Sequence, residues 1–193
     1  MKSTAISLLA ALLLLGAGCA DSSESTQTQP TIDRESILFE ARENGLIMNE
    51  AQINAMVAAP LEIDQEGRLV ENVQEYVKTD VKDWLSGALA DVTGGDAYGI
   101  AHATLQSGSF TFIAQMGNLP EPASEYYYEG WLVRREGSLA VLSLGRIQKT
   151  EKGYALVYLT DTDLSDHNFF VVTLESNDGN PAPGEHILEG ILK

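Results

Sequence analysis

The sequence predicts an all-β domain that follows a short helical segment. From about residue 83 to residue 193 the apolar residues recur with a period of two, which is typical of strands with one buried face. Over the same stretch, glycine, proline and Asn/Asp clusters recur about every ten residues and indicate turns between short strands. We therefore expect about seven or eight antiparallel strands in two packed sheets, an immunoglobulin-like β-sandwich.

The N-terminus, residues 1–18, is expected to be the signal peptide of a bacterial lipoprotein. Lys2 is followed by an uncharged apolar run from Ala5 to Leu15, and small residues lie directly before Cys19. The run is shorter than the roughly 20 residues that a membrane-crossing helix needs. The order Leu-Gly-Ala-Gly-Cys at its end is similar to a lipobox, in which the cysteine thiol receives a diacylglycerol.

Cys19 is the only cysteine of the chain, so it cannot form an internal disulfide. Acylation, with palmitate for example, would give this thiol a role as a membrane anchor. The alternative is an ordinary secretory signal that is cut near Ala20. That cleavage would leave a soluble protein, whereas with the lipid we expect a protein anchored on the extracytoplasmic side of the cell membrane or cell envelope. Residues 19–32, which are rich in Ser, Thr and Gln, are expected to form a disordered tether.

The composition argues against nucleic acid as a partner. The chain has 28 acidic and 12 basic residues, and its net charge is −16. Such a chain repels a phosphate backbone instead of attracting it. The expected partners are the membrane, through lipid on Cys19, and an envelope protein or glycan.

Residues 33–82 are expected to be helical. Asp33 can cap a first helix that stops at Asn44-Gly45, and Asn49 with Gln52 forms a capping box for a second helix that ends before Pro60. A third helix would place four valines on one side, at helical spacing: Val70, Val73, Val77 and Val81. These helices would pack on the following domain or on a partner.

Residues 83–193 form the expected β-domain. Its strands are predicted at residues 97–106, 110–116, 126–134, 139–145, 154–160, 169–175 and 186–192. Ser107-Gly108 is expected to be the turn of a hairpin, and Trp131, beside Gly130, is expected to fill the space between the two sheets.

A series of short segments between residues 118 and 190 resembles the extracytoplasmic C-terminal domain of anti-sigma-K factors. The segments are Asn118–Pro120, Tyr128–Val133, Ser143–Gly145, Lys152–Tyr154, Val172–Glu175, Asp178–Pro183 and Leu188–Gly190. In that family the domain lies outside the membrane and is joined through a transmembrane helix to a cytoplasmic segment that binds a sigma factor. This chain lacks a second apolar run and a His-Cys cluster. The resemblance therefore implies the fold and the location but not the binding of a sigma factor by this chain, and a link to anti-sigma-type regulation is a further expectation.

No cofactor, metal site or catalytic residue is expected. His102, His167 and His186 are far apart in sequence, and no serine lies in a Gly-x-Ser-x-Gly motif. The acidic run 161–166 could supply calcium ligands, but it lacks the glycine and glutamate of an EF-hand, and a solvated turn is favoured. We expect a non-catalytic binding or sensing module. The alternative is an envelope enzyme, such as a hydrolase, or a metal-binding protein.

Tyr126, Tyr127 and Tyr128 are the candidate contact patch. Successive side chains of a strand point to opposite faces, so at least one of the three rings should meet solvent. An exposed tyrosine cluster could bind a protein or a glycan. The alternative is an edge strand whose rings lie over the 118–125 loop.

Overall fold

The computed structural model of the protein describes residues 33–193, which form one compact unit. The signal peptide, the tether and Cys19 lie outside the described residues and stay predictions.

Two helices precede the sheet and begin where the sequence predicts. Helix α1 spans Arg34–Glu43, with Asp33 as its N-cap. Helix α2 spans Glu50–Ala58 and begins with the capping box of Asn49 and Gln52. Because each cap accepts an otherwise unpaired amide of the first turn, the cap residues fix where these helices start.

The prediction of a third helix is wrong. The segment instead contains the two-residue strands β1 (Leu61–Glu62) and β2 (Arg68–Leu69) and a 3-10 turn, Tyr76–Lys78. The four valines still lie on one side of this segment, where they pack on Ile113 and Val157 of the sheet. β-Branched side chains lose rotamer freedom in a helix, so packing on the sheet decides the conformation here.

The remaining strands agree with the sequence-predicted ones to within one residue at each end, and β3 and β8 are additional. They are β3 (Leu85–Asp91), β4 (Tyr98–Gln106), β5 (Ser109–Gly117), β6 (Tyr126–Arg134), β7 (Ala140–Arg146), β8 (Gln148–Thr150), β9 (Gly153–Thr160), β10 (Phe169–Ser176) and β11 (Glu185–Ile191). Strands β4 and β5 form the expected hairpin. Its turn residues Ser107 and Gly108 have φ of 54° and 82°, the positive values that a two-residue turn of this kind requires.

The expected β-sandwich is replaced by one continuous sheet. Across residues 33–193 the strand order is β1-β7-β6-β10-β11-β3-β4-β5-β9-β2, and β8 pairs with β9. A bulge beside Gly130 and a positive φ of 93° at Gly145 twist β7 where it approaches β8. Along this continuous run, β7 pairs with β6 and β8 pairs with β9. The sheet curls into a half-barrel because of this, and two separate sheets do not form.

The main core fills the inside of the curl. Phe112 of β5 meets Phe170 of β10 across it, with ring centroids 4.6 Å apart. Gly130 leaves room there, since a Cβ atom at this position would lie 2.8 Å from a methyl carbon of Leu156. The predicted face of β5 is confirmed, because all four of its residues belong to this core: Phe110, Phe112, Ala114 and Met116.

Trp131 lies on the opposite face of the sheet from the one expected. It is buried in a second apolar cluster, where Met48 and Met56 of the helical segment cover it. Its indole Nε1 donates a hydrogen bond to Thr173 Oγ1 at 2.8 Å. The tryptophan therefore joins the helical segment to the sheet and does not join two sheets.

Candidate functional site

The three tyrosines of the expected contact patch point to different surroundings. Tyr128 is buried in the main core, and its hydroxyl donates to the Pro120 carbonyl at 3.0 Å. Tyr127 is half-buried, and the Arg146 guanidinium lies over it, 4.3 Å from the centroid of the tyrosine ring. Tyr126 is 41% exposed. Strand β6 pairs on both sides, so it is an inner strand and not an edge strand.

The three histidines lie apart and each has a local polar partner. His102 Nδ1 lies 2.8 Å from Ser86 Oγ, and His186 Nδ1 lies 2.6 Å from Glu189 Oε1. His167 contacts two carboxylates. Within residues 33–193 no group of three or more His, Cys, Asp or Glu residues is arranged to hold a metal ion.

His167 is the centre of a polar clasp, defined here as His167, Glu62, Asp166 and Arg134. The buried imidazole has Nδ1 2.7 Å from Asp166 and Nε2 3.0 Å from Glu62. Arg134 donates to the same two carboxylates, at 3.0 and 3.2 Å. Partial burial opposes ionisation of Asp166, yet the bonds from Arg134 and His167 lower its pKa. One aspartate of the acidic run 161–166 thus has a structural partner, and the clasp ties β1 to the end of β6.

A groove of about 520 Å³ runs along the outer face of the sheet, beside the 3-10 turn. We call it the outer groove. Its floor includes Tyr98 and Ile100 of β4, Gln115 of β5 and Ala155 of β9. Register pairs Ile100 with Gln115, and Gln115 with Ala155, so these three residues lie in one row across the strands. Tyr98 and Ile100 are 59% and 43% exposed.

The tyrosine of the outer groove rests on a glycine. A Cβ atom at Gly117 would lie 2.5 Å from Cζ of Tyr98, so the far end of the ring covers this glycine. Any larger residue there would lift the ring off the sheet. The ring thus leans over the sheet with much of its surface open to solvent.

The rim of the outer groove carries more positive than negative charge. Lys78 of the 3-10 turn and Lys152 of the β8–β9 turn line it, together with the single carboxylate of Glu151. The net charge of the chain is −16, so the charge at the rim has the opposite sign to that of the protein as a whole. An uncharged or anionic ligand therefore meets less repulsion here than over the protein as a whole.

The sequence analysis missed the outer groove, although β4 contains a signal for it. The residues of β4 that point into the core are small, namely Gly99, Ala101 and Ala103. The outward positions hold the larger Tyr98 and Ile100. The larger residues of β4 therefore lie on the outer face of the sheet, where Tyr98 and Ile100 line the groove.

A pair of glutamates lies on the outer face of β6 and β10. Glu175 is buried and accepts hydrogen bonds from the Thr173 hydroxyl and, at 2.8 Å, from the Gly184 amide. Glu129 accepts a hydrogen bond from Ser143. Burial, with the negative charge of Glu175, raises the pKa of Glu129 despite that bond.

The raised pKa of Glu129 predicts a pH-dependent stability. The folded state holds this proton more tightly than the unfolded chain, so the contribution of Glu129 falls as pH rises from about 4 through its raised pKa. We expect Glu129→Gln to stabilise the protein relative to the wild type increasingly over that window. Urea unfolding at several pH values measures this. Ser143→Ala, which removes the hydroxyl donor, should steepen the wild-type fall, and a pH-independent effect of Glu129→Gln would contradict the prediction.

Comparison with known proteins identifies the family of this chain. In the part that the structure describes, no helix is long and apolar enough to cross a membrane. No curated protein and no solved structure matches the sequence. The family model described as "Anti-sigma-K factor rskA, C-terminal" matches residues 4–187 and confirms the resemblance seen at residues 118–190. Since the match covers nearly the whole sequence, the chain belongs to the family of anti-sigma-K factor rskA C-terminal domains.

Proposed function

We propose that the protein is a lipid-anchored, non-catalytic binding or sensing module on the extracytoplasmic side of the bacterial cell envelope. Its family is related to anti-sigma factors and so suggests a regulatory domain. Cys19 is its anchor, and residues 19–32 connect the lipid to the fold. The partner is an envelope protein or glycan.

The outer groove is the observation that carries the binding role. Apolar side chains of soluble domains are mostly buried or scattered singly on the surface. Here an aromatic and an aliphatic side chain, Tyr98 and Ile100, lie two positions apart on one strand and line a groove of about 520 Å³. A concave surface with apolar contacts and a few polar groups is the usual form of a ligand site.

The composition supports the anchor. A lone thiol in an oxidising compartment has no structural partner, and lipidation would account for it. Each buried methylene contributes about 0.8 kcal/mol, so two or three acyl chains hold a protein on a membrane far more firmly than one.

Replacing Cys19 tests the anchor. We expect an alkyne analogue of palmitate to label the wild-type protein and not Cys19→Ala, and only the wild type to stay in the membrane fraction. Labelled cells are fractionated and the protein is detected by click chemistry and immunoblotting. Glu136→Ala, which changes an exposed residue and leaves the N-terminus intact, serves as the processing control. A Cys19→Ala variant that is still labelled and retained would refute the anchor.

The tyrosine patch and the alternative functions need separate tests. Cross-linking in cells with Tyr126→Ala and Tyr98→Ala variants compares the patch with the outer groove, and we expect loss of the partner only for Tyr98→Ala. An envelope hydrolase or metal protein is the alternative proposal. Stoichiometric metal in the untagged protein, or turnover in a hydrolase screen, would favour it over a binding module.

A further inference from the structure

We infer that the outer groove binds an anionic carbohydrate, a short chain of sugar rings that carries carboxylate or phosphate groups. This inference rests on the proposed binding role of the groove and names the class of its ligand. Three features support it: an open aromatic ring, amide side chains in the lining of the groove, and lysines at the rim.

The exposed ring of Tyr98 is the first feature. Its far end covers Gly117, and the side chain is 59% exposed. An aromatic face carries partial negative charge and attracts the polarised C–H groups on one face of a sugar ring. An open ring on a sheet suits a ligand with a flat face. A ligand that presents an aliphatic side chain would instead need an enclosed pocket.

The polar lining is the second feature. Gln74 and Gln115 both line the groove, as Tyr98 does. A side-chain amide both donates and accepts hydrogen bonds, so it can pair with sugar hydroxyls, which also do both. The volume, about 520 Å³, is within the range of roughly 300–1,000 Å³ that is usual for small-ligand sites.

The charge of the rim is the third feature. Lys78 and Lys152 both line the groove, against one carboxylate, Glu151. The remainder of the protein is strongly acidic and would repel an anionic polymer. The lysines therefore favour a ligand whose anionic groups reach the rim while its rings lie on the floor.

Titration of the full-length protein in detergent solution tests the inference. The probes are trigalacturonic acid, neutral cellotriose and a glutamate-rich peptide of the same net charge as the acidic sugar. We expect trigalacturonic acid to bind most tightly and more weakly as salt is added. Tyr98→Ala should weaken binding about tenfold and Tyr98→Phe should preserve it. Lys152→Gln should weaken binding about threefold.

Matched controls separate the groove from the surface at large. Tyr126→Ala removes an exposed tyrosine elsewhere, and Lys149→Gln removes a lysine that pairs with Glu121 at 2.7 Å. Both should bind like the wild type, and thermal unfolding confirms that every variant is folded. Equal binding of cellotriose, tighter binding of the peptide, or no binding of any probe would overturn the inference. The binding role itself is tested without these probes, by loss of the cross-linked partner in Tyr98→Ala cells, so the identity of the ligand can fail while the binding role stands.

Discussion

Replacement of Trp131 with alanine is expected to lower the free energy of unfolding by about 4 kcal/mol. The indole is buried between β6 and the helical segment, against Met48 and Met56. Alanine leaves a cavity there and also deprives the buried Thr173 hydroxyl of its Nε1 donor. Urea or guanidinium unfolding followed by circular dichroism measures the loss.

Trp131→Phe separates the two contributions to this loss. Phenylalanine keeps most of the apolar volume but cannot donate to Thr173, so we expect a loss of about 1–2 kcal/mol. Trp84→Ala, at a half-buried tryptophan directly before β3, is the matched control and should lower the free energy of unfolding less than Trp131→Ala. A loss below about 1 kcal/mol for Trp131→Ala would show that the helical segment does not depend on this contact.

Replacement of His167 with alanine is expected to lower the free energy of unfolding by about 2–3 kcal/mol. The ring is buried and holds Glu62 and Asp166 beside Arg134, so its removal leaves the two carboxylates with fewer partners. We place the loss below that of a fully buried ion pair because Glu62 and Asp166 are partly exposed. Thermal or denaturant unfolding of the purified variant measures it.

His102→Ala is the control for the clasp. His102 is also buried, but its polar contact is the neutral hydroxyl of Ser86. His102→Ala should therefore lower the free energy of unfolding less than His167→Ala does. Hydrogen exchange at the β1 amides should rise in His167→Ala alone. Equal losses, with no change in exchange at β1, would mean that the clasp does not hold this strand.

Local structure could be predicted well from the sequence. The period-two pattern and the turn residues located β4 to β7 and β9 to β11 almost to the residue, because both signals depend on neighbouring positions. The caps Asp33 and Asn49 located the helix starts for the same reason. The spacing of four valines indicated a shared face correctly but a helix wrongly, since an irregular segment lying on a sheet also presents one face.

Long-range arrangement could not be predicted in the same way. The pairing of β7–β8 with both β6 and β9 joins strands that no periodicity links, and it decides between a curled sheet and a sandwich. The face on which Trp131 lies depends on where helix α2 packs, which the local pattern does not encode. The outer groove depends on the register between β4, β5 and β9, so Tyr98 and Ile100 could be recognised only once the strands were paired.

The curl of the sheet also determines how this fold can meet other chains. A flat sheet ends in long strands whose free amides and carbonyls act as a template for strand addition and aggregation. Within residues 33–193, the strand order ends in β1 and β2, which are two residues long each. These short ends offer little template, so we expect a partner to bind mainly through side chains. Specificity then resides in a few outward residues that can change without disturbing the scaffold.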